Sequence, residues 1–303
     1  MTMIAPMPSD APLRIVYAGT PDIAVGPLLA IHSSGFEVVS VLTGVNKRRG
    51  RGGEATPSPV KAAALELGIP VVHDVRDLLA FMGPTTLGVV VAYGSLIPHD
   101  VLAAIPMVNV HYSLLPRWRG AAPVERAILA GDSVTGVCIM RVVDELDAGE
   151  VYARREVPIG DDETADELRA RLDAAARELI VQSLRSREWS GIAQNGETTY
   201  ARKIGTQDRR IRCADAWQDS RRVRIGGAYV TIAGRRVQIR RAWPSAGIAP
   251  VGSFVVHEYQ VVLGCANGLL VCETVQPEGR SAMSANDWWR GRRDGDTLMV
   301  DDD

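Results

Sequence analysis

The chain reads as a two-part α/β protein, an open and mostly parallel sheet flanked by helices followed by a smaller all-β barrel. Three observations predict this. Through residue 189, short apolar runs alternate with helical patterns, the rhythm of strand–helix–strand units. Beyond residue 206 that rhythm gives way to short alternating strands with a strong hairpin turn at Asn267-Gly268. The 303 residues also exceed what one core usually organises. The expected division is a disordered lead-in at 1–12, a first domain at 13–189, a linker at 190–206 and the barrel at 207–303.

Taken in order, residues 14–18 are a short apolar run ending in Gly19-Thr20-Pro21-Asp22, and an apolar-rich stretch then runs to Ser33. That is strand, turn and helix. Gly19 does not open a Gly-x-Gly-x-x-Gly, so a dinucleotide site is disfavoured. Residues 36–43 read as the second strand, 61–67 as a helix closed by Gly68, and 69–72 as the third strand. Asp74 can cap a short helix to Phe81. The continuous apolar run 87–92 suits a parallel strand buried on both faces. Residues 105–108 lead into a strand that carries Asn109 and His111. Pro123 falls in the first turn of a helix closed by Gly131. Runs 134–143 and 151–157 are further strands. Asp162 or Thr164 caps the next helix, whose apolar stripe is Leu168, Leu172, Ala175, Ala176, Leu179 and Ile180. The barrel strands are 229–232, 237–239, 251–256, 261–263 and 269–272, with a turn at Ala233-Gly234.

A hydrophobic content of 46% and a charged content of 23% are those of a soluble globular chain. No apolar run approaches the roughly 20 residues of a membrane span, and the start lacks a secretory signal. A cytoplasmic protein is expected, with no membrane and no DNA partner. Cys138, Cys213, Cys265 and Cys272 form no Cys-x-x-Cys, which favours buried thiols over a metal site or disulfides. The net charge of −2 is unevenly placed: residues 202–241 hold 12 basic against 3 acidic side chains. A second basic stretch, with Lys47, Arg48, Arg49 and Arg51 among glycines, is suited to folding its cations onto a polyanion.

The most informative stretch is Asn109-Val110-His111-Tyr112-Ser113-Leu114-Leu115-Pro116-Arg117-Trp118-Arg119-Gly120. In an extended chain, residues two apart share a face, so Asn109 and His111 project together. An amide can hold a developing oxyanion, and an imidazole can share that task or move a proton. Downstream, Asp144-Glu145-Leu146-Asp147-Ala148-Gly149 forms an acidic turn after the 134–143 run. A carboxylate there can return to the Asn/His face if that run lies beside the 107–111 strand.

The sequence from Asn109 to Pro123, together with Leu146-Asp147-Ala148-Gly149, resembles the signature of methionyl-tRNA formyltransferases. The resemblance covers about residues 13–293 and includes Gly50-Arg51-Gly52, Pro57-Ser58-Pro59-Val60-Lys61 and the closing 276–292 segment. It departs at Val45-Asn46-Lys47-Arg48 and at a shortened Gly226-Gly227-Ala228. It implies a Rossmann-like first domain and an OB-like second one, with 10-formyltetrahydrofolate as co-substrate and initiator methionyl-tRNA as acceptor. By the same resemblance Asn109, His111 and Asp147 are catalytic. Ser113, Leu114, Leu115 and Pro116 contact folate, and the basic loop with Lys47, Arg48, Arg49 and Arg51 engages tRNA. Ligands of open α/β sheets sit at the carboxyl ends of strands, so Tyr93, Gly94, Ser95 and Leu96 are expected to line the folate pocket, with Asp144 beside them. No metal is needed, because the folate nitrogen is already a competent leaving group. A formyltransferase acting on a small amine such as an amino-sugar nucleotide is the main alternative. A non-catalytic RNA-binding protein and a formyltetrahydrofolate hydrolase are the others.

Overall fold

A computed structural model describes residues 3–9, 13–48, 55–292 and 298–301. The chain divides into two compact units. The first comprises residues 1–124, 134–158 and 169–202, and the second 125–133, 159–168 and 203–303.

The first unit opens with β1 (Arg14–Gly19), α1 (Val25–Ser33) and β2 (Glu37–Leu42). The short strands β3 (Lys47–Arg48) and β4 (Ala55–Thr56) pair antiparallel with each other. Arg49 and Arg51, two of the four cations expected at the tRNA, lie outside the described residues. Ser58 caps α2 (Pro59–Glu66) by accepting from the Lys61 amide at 3.0 Å. After β5 (Val71–Val72), Asp74 caps Val75–Phe81 as expected, but the turn is a 3-10 helix. There follow β6 (Thr86–Val91), α3 (His99–Ala104), β7 (Met107–His111) and β8 (Arg119–Gly120). In chain order there follow α4 (Pro123–Ala130), which from Glu125 belongs to the second unit, β9 (Val134–Arg141), β10 (Val151–Pro158), α5 (Ala165–Ser186), whose first four residues belong to the second unit, and β11 (Tyr200–Ala201). Thr164 and Glu167 form the capping box of α5, with the Thr164 amide donating to Glu167 Oε2 at 2.8 Å.

The sheet order is β10-β9-β7-β6-β1-β2-β5. Strands β5, β2, β1, β6 and β7 are parallel, and β9 and β10 run antiparallel at one edge. All six residues of β6 are buried, as a strand covered on both faces requires. Part of the stretch expected as a disordered lead-in is instead packed. Ala5 donates its amide to Leu102 O at 2.9 Å and accepts from Arg141 Nη2 at 2.9 Å, while Ile4 joins the core beside Leu102. A buried apolar contact and two satisfied backbone groups offset the ordering entropy there.

The second unit contains α6 (Thr206–Arg209), α7 (Ala216–Arg224), β12 (Tyr229–Ile232), β13 (Arg235–Ser245) and β14 (Ser253–His257). It ends with β15 (Gln260–Gly264), β16 (Leu269–Pro277), β17 (Met283–Ser284), α8 (Ala285–Arg290) and β18 (Leu298–Met299). Its antiparallel sheet runs β12-β13-β16-β15-β14-β18, with β17 on β16. The two edges are tied by Asp301, which follows β18. Its amide donates to Thr231 O at 2.8 Å, and its carboxylate accepts from the Ala233 and Gly234 amides at 2.8 Å each. The core includes Val230, Ile239, Phe254, Leu263 and Leu270, with Trp288 edge-on to Phe254 at 5.2 Å. Among the described residues, no helix is long and apolar enough to cross a membrane.

Candidate active site

Strand β7 sits between β6, where Val90 faces Asn109, and β9, where Met140 faces Asn109 and Cys138 faces His111. The pleat puts the Asn109 and His111 side chains on one face. Beyond His111 the chain turns sharply. Ser113 Oγ donates to Arg117 O at 2.6 Å, Leu115-Pro116 is cis, and Trp118 adopts φ +62°. The turned Trp118 carbonyl lies 2.9 Å from His111 Nε2. A carbonyl only accepts, so Nε2 carries the hydrogen and Nδ1 is the ring atom presented to the rest of the site. His111 itself is 5% exposed.

Antiparallel β9 ends opposite Val108, and the chain from Val142 to Gly149 folds back over the same face. Asp147 stands 3.7 Å from His111 Nδ1 through Oδ2. It accepts from Gly120 N at 2.8 Å, and from Asn109 Nδ2 at 3.4 Å on its other oxygen. Its own φ is +50°, a left-handed conformation that costs an L-residue roughly 1–2 kcal/mol and that Asp tolerates better than most. Gly149 is required two residues later, since a Cβ there would collide with the Arg141 carbonyl. The three expected side chains therefore meet on one face.

The stretch expected as a linker reaches into this arrangement. Tyr200–Ala201 pairs parallel with Arg119–Gly120, and the Trp118 amide donates to Thr199 Oγ1 at 2.9 Å. Gln194 bonds the buried Arg119 and two carbonyls of the Asp147 loop. Arg119 also donates to Glu145 at 3.0 Å. Gln194, Thr199, the Trp118 carbonyl and the Gly120 amide have no mark in the sequence as site groups; only the loop-like polarity of 190–205 hinted at a short connection.

The residues expected to hold folate divide into two groups. Tyr93, Gly94, Ser95 and Leu96 follow the carboxyl end of β6, where Ala92 and Gly94 at φ +46° and +81° carry the chain off the sheet. Burial first, and the Asp74 charge second, hold the Tyr93 phenol above its ordinary value, so it stays a donor. Leu96 is 71% exposed. Ser113, Leu114, Leu115 and Pro116 follow the adjacent parallel strand β7 at the same end of the sheet, with Ser113 and Leu115 buried. Asp144 is exposed and lies 2.9 Å from His99 Nδ1, so its carboxylate is engaged at the start of α3. Lys47 and Arg48 form β3. Among the described residues no group of three or more His, Cys, Asp or Glu is placed to hold a metal ion.

The family model of formyl transferase matches residues 13–184, and that of the formyl transferase C-terminal domain matches residues 203–293. A methionyl-tRNA formyltransferase of Methylococcus capsulatus is 39% identical over 91% of this chain and 96% of its own length. One from Thermobifida fusca is 38% identical over 96% of this chain and all of its own. This chain belongs to the methionyl-tRNA formyltransferase family. The solved structure of an N-formyltransferase from Helicobacter canadensis, in complex with folinic acid and dTDP-3-aminofucose, shares this family's fold. It matches at TM-score 0.65 and 16% identity over 88% of this chain and all of its own. HypX from Aquifex aeolicus in complex with tetrahydrofolic acid matches at TM-score 0.63 and 17% identity, over 93% of this chain and 47% of its own.

Proposed function

We propose that Asn109, His111 and Asp147 carry the formyl group of 10-formyltetrahydrofolate to the amino group of methionyl-initiator-tRNA, giving formylmethionyl-tRNA for translation initiation. The observation that carries this reading is the meeting of the three side chains on one face of β7, in a chain of this family. The bound folate supplies an activated formyl carbon and a nitrogen able to leave. The protein supplies the rest. Asn109 gives one amide hydrogen to Asp147 and has a second to donate to the formyl oxygen as negative charge gathers there. His111 is fixed by Trp118, so Nδ1 is the ring nitrogen that can take or give a proton. Asp147 backs that nitrogen and orients the ring while the amine loses its proton.

The folate is assigned to Tyr93, Gly94, Ser95 and Leu96 together with Ser113, Leu114, Leu115 and Pro116, whose common position at the carboxyl ends of neighbouring strands supports the assignment. The tRNA phosphates are assigned to Lys47, Arg48, Arg49 and Arg51 on charge, and the reaction to the cytoplasm, where charged tRNA is found. The test is formyl transfer from 10-formyltetrahydrofolate to methionyl-tRNA, comparing initiator with elongator across salt. Transfer confined to the initiator and weakening as salt rises is expected. Folate binding without transfer would overturn the acceptor, and a screen of amino-sugar nucleotides would then identify a small-amine enzyme.

A further inference from the structure

Gln194 makes four hydrogen bonds, the full capacity of a primary amide. Its Oε1 accepts from Arg119 Nε at 3.0 Å and from Arg119 Nη2 at 2.8 Å. Its Nε2 donates to Asp147 O at 2.7 Å and to Gly149 O at 2.8 Å. A guanidinium can only donate and a carbonyl can only accept, so the partners dictate which end of the amide is oxygen. The two carbonyls it clamps are those of the left-handed Asp147 itself and of Gly149, on either side of Ala148. On its other side, Arg119 is 8% exposed and is followed in the chain by Gly120, whose amide holds the Asp147 carboxylate at 2.8 Å. Gln194 therefore reaches Asp147 by two routes: directly at its backbone, and through Arg119 at the residue that grips its side chain.

We infer that Gln194 is a positioning residue for formyl transfer, fixing the Asp147 loop so that the carboxylate faces His111 Nδ1. It touches neither Asn109 nor His111 in any hydrogen bond described, and acts through Asp147. This inference rests on the formyl-transfer reading of Asp147. It also gives the polar stretch after α5 a task in the chemistry besides joining two units.

The test uses the full chain with Gln194→Met, which keeps the length and removes all four bonds, and Gln194→Glu. In the glutamate variant Arg119 keeps its acceptor, but an oxygen faces the Asp147 and Gly149 carbonyls. Both variants should lose about 10- to 100-fold in kcat, the range seen when a residue orienting a reactive group is removed. KM for folate and for tRNA should stay at the wild-type values. Adding Gln194→Met to Asp147→Asn should cause no further loss, because two residues acting through one group do not add. The His111 ring nitrogen resonances should move in Gln194→Met in the same direction as in Asp147→Asn. Wild-type kcat in Gln194→Glu, a loss carried by KM, losses that multiply in the double variant, or an unmoved His111 signal would each overturn the inference. If Gln194→Met fails to fold, Gln194→Glu carries the same comparisons. The ring signal needs no acceptor, so it still decides the matter if the wild type fails to formylate methionyl-tRNA.

Discussion

Two buried carboxylates, one in each unit, do similar local work and differ in what they leave over. Asp219 on α7 accepts from the Arg212 amide at 3.1 Å, the Cys213 amide at 2.8 Å and Arg222 Nη1 at 3.1 Å. It braces Cys213 at φ +55°, and its side chain is 1% exposed. Asp147 accepts from one backbone amide and one side-chain amide, holds its own φ at +50°, and is 11% exposed. Its third neighbour, His111 Nδ1, stands at 3.7 Å rather than in a closed hydrogen bond. Every acceptor of Asp219 is committed to the fold. Asp147 has one side open to a titratable ring, and that margin separates a bracing carboxylate from one able to assist a proton transfer.

The largest effect that separates the two belongs to Asp147 and its neighbour His111. His111→Ala should lower turnover by about 100- to 1000-fold, the scale of a missing transition-state donor, and Asp147→Asn should follow it, with both variants melting close to wild type. A melting temperature that collapses in Asp147→Asn would make it a bracing group like Asp219 and erase the contrast. Asp219→Ala should do the opposite. Removing one partner of a buried ion pair costs roughly 3–5 kcal/mol, so a denaturant melt should show that loss while folate binding by the folded protein is retained. Thiols give the smallest and sharpest reporter. Burial pushes the Cys138 thiol, opposite His111, up to about 11, and burial pushes that of Cys272 up to about 12. Cys265 Sγ lies 3.9 Å from Asp219 Oδ2, and its thiol is raised far above the ordinary range, first by its hydrogen bond with Cys213 and then by burial. The raised thiols of Cys138, Cys265 and Cys272 hold their protons at pH 8, and all four cysteines are buried, so iodoacetamide should label none of them until the chain unfolds. Asp219→Ala should then release Cys213 and Cys265 for labelling before Cys138.

How much of this was legible follows from what kind of atom does each task. Asn109 and His111 could be read because a two-residue spacing in a strand is a geometric statement, and β7 obeys it. The open, mostly parallel first sheet and the β second unit followed from the alternation of runs. Asp147 came from a motif, and its return to the Asn/His face required β9 to lie beside β7, as it does. The tautomer of His111 rests on the carbonyl of Trp118, and the grip on Asp147 rests on the amide of Gly120. Backbone groups are the same in every residue, so no side-chain pattern announces them. Gln194 was hidden by distance: it lies 47 residues beyond Asp147 in a stretch whose strand β11 is only two residues long. The 3–9 segment was expected as part of a disordered lead-in; what orders it is the surface of α3 and the end of β9, which composition does not display.

The most direct measurement is single-turnover formylation of initiator methionyl-tRNA by wild type and by Asn109→Ala, at saturating 10-formyltetrahydrofolate with folate binding followed in parallel. Asn109 faces the chemistry from the strand itself and has no bracing duty beyond one long bond of 3.4 Å to Asp147. The predicted result is transfer by the wild type and a loss of about 100- to 1000-fold in Asn109→Ala with folate binding and melting temperature preserved. Near-wild-type transfer by Asn109→Ala would contradict the assignment of this face of β7 as the place where the formyl group changes hands.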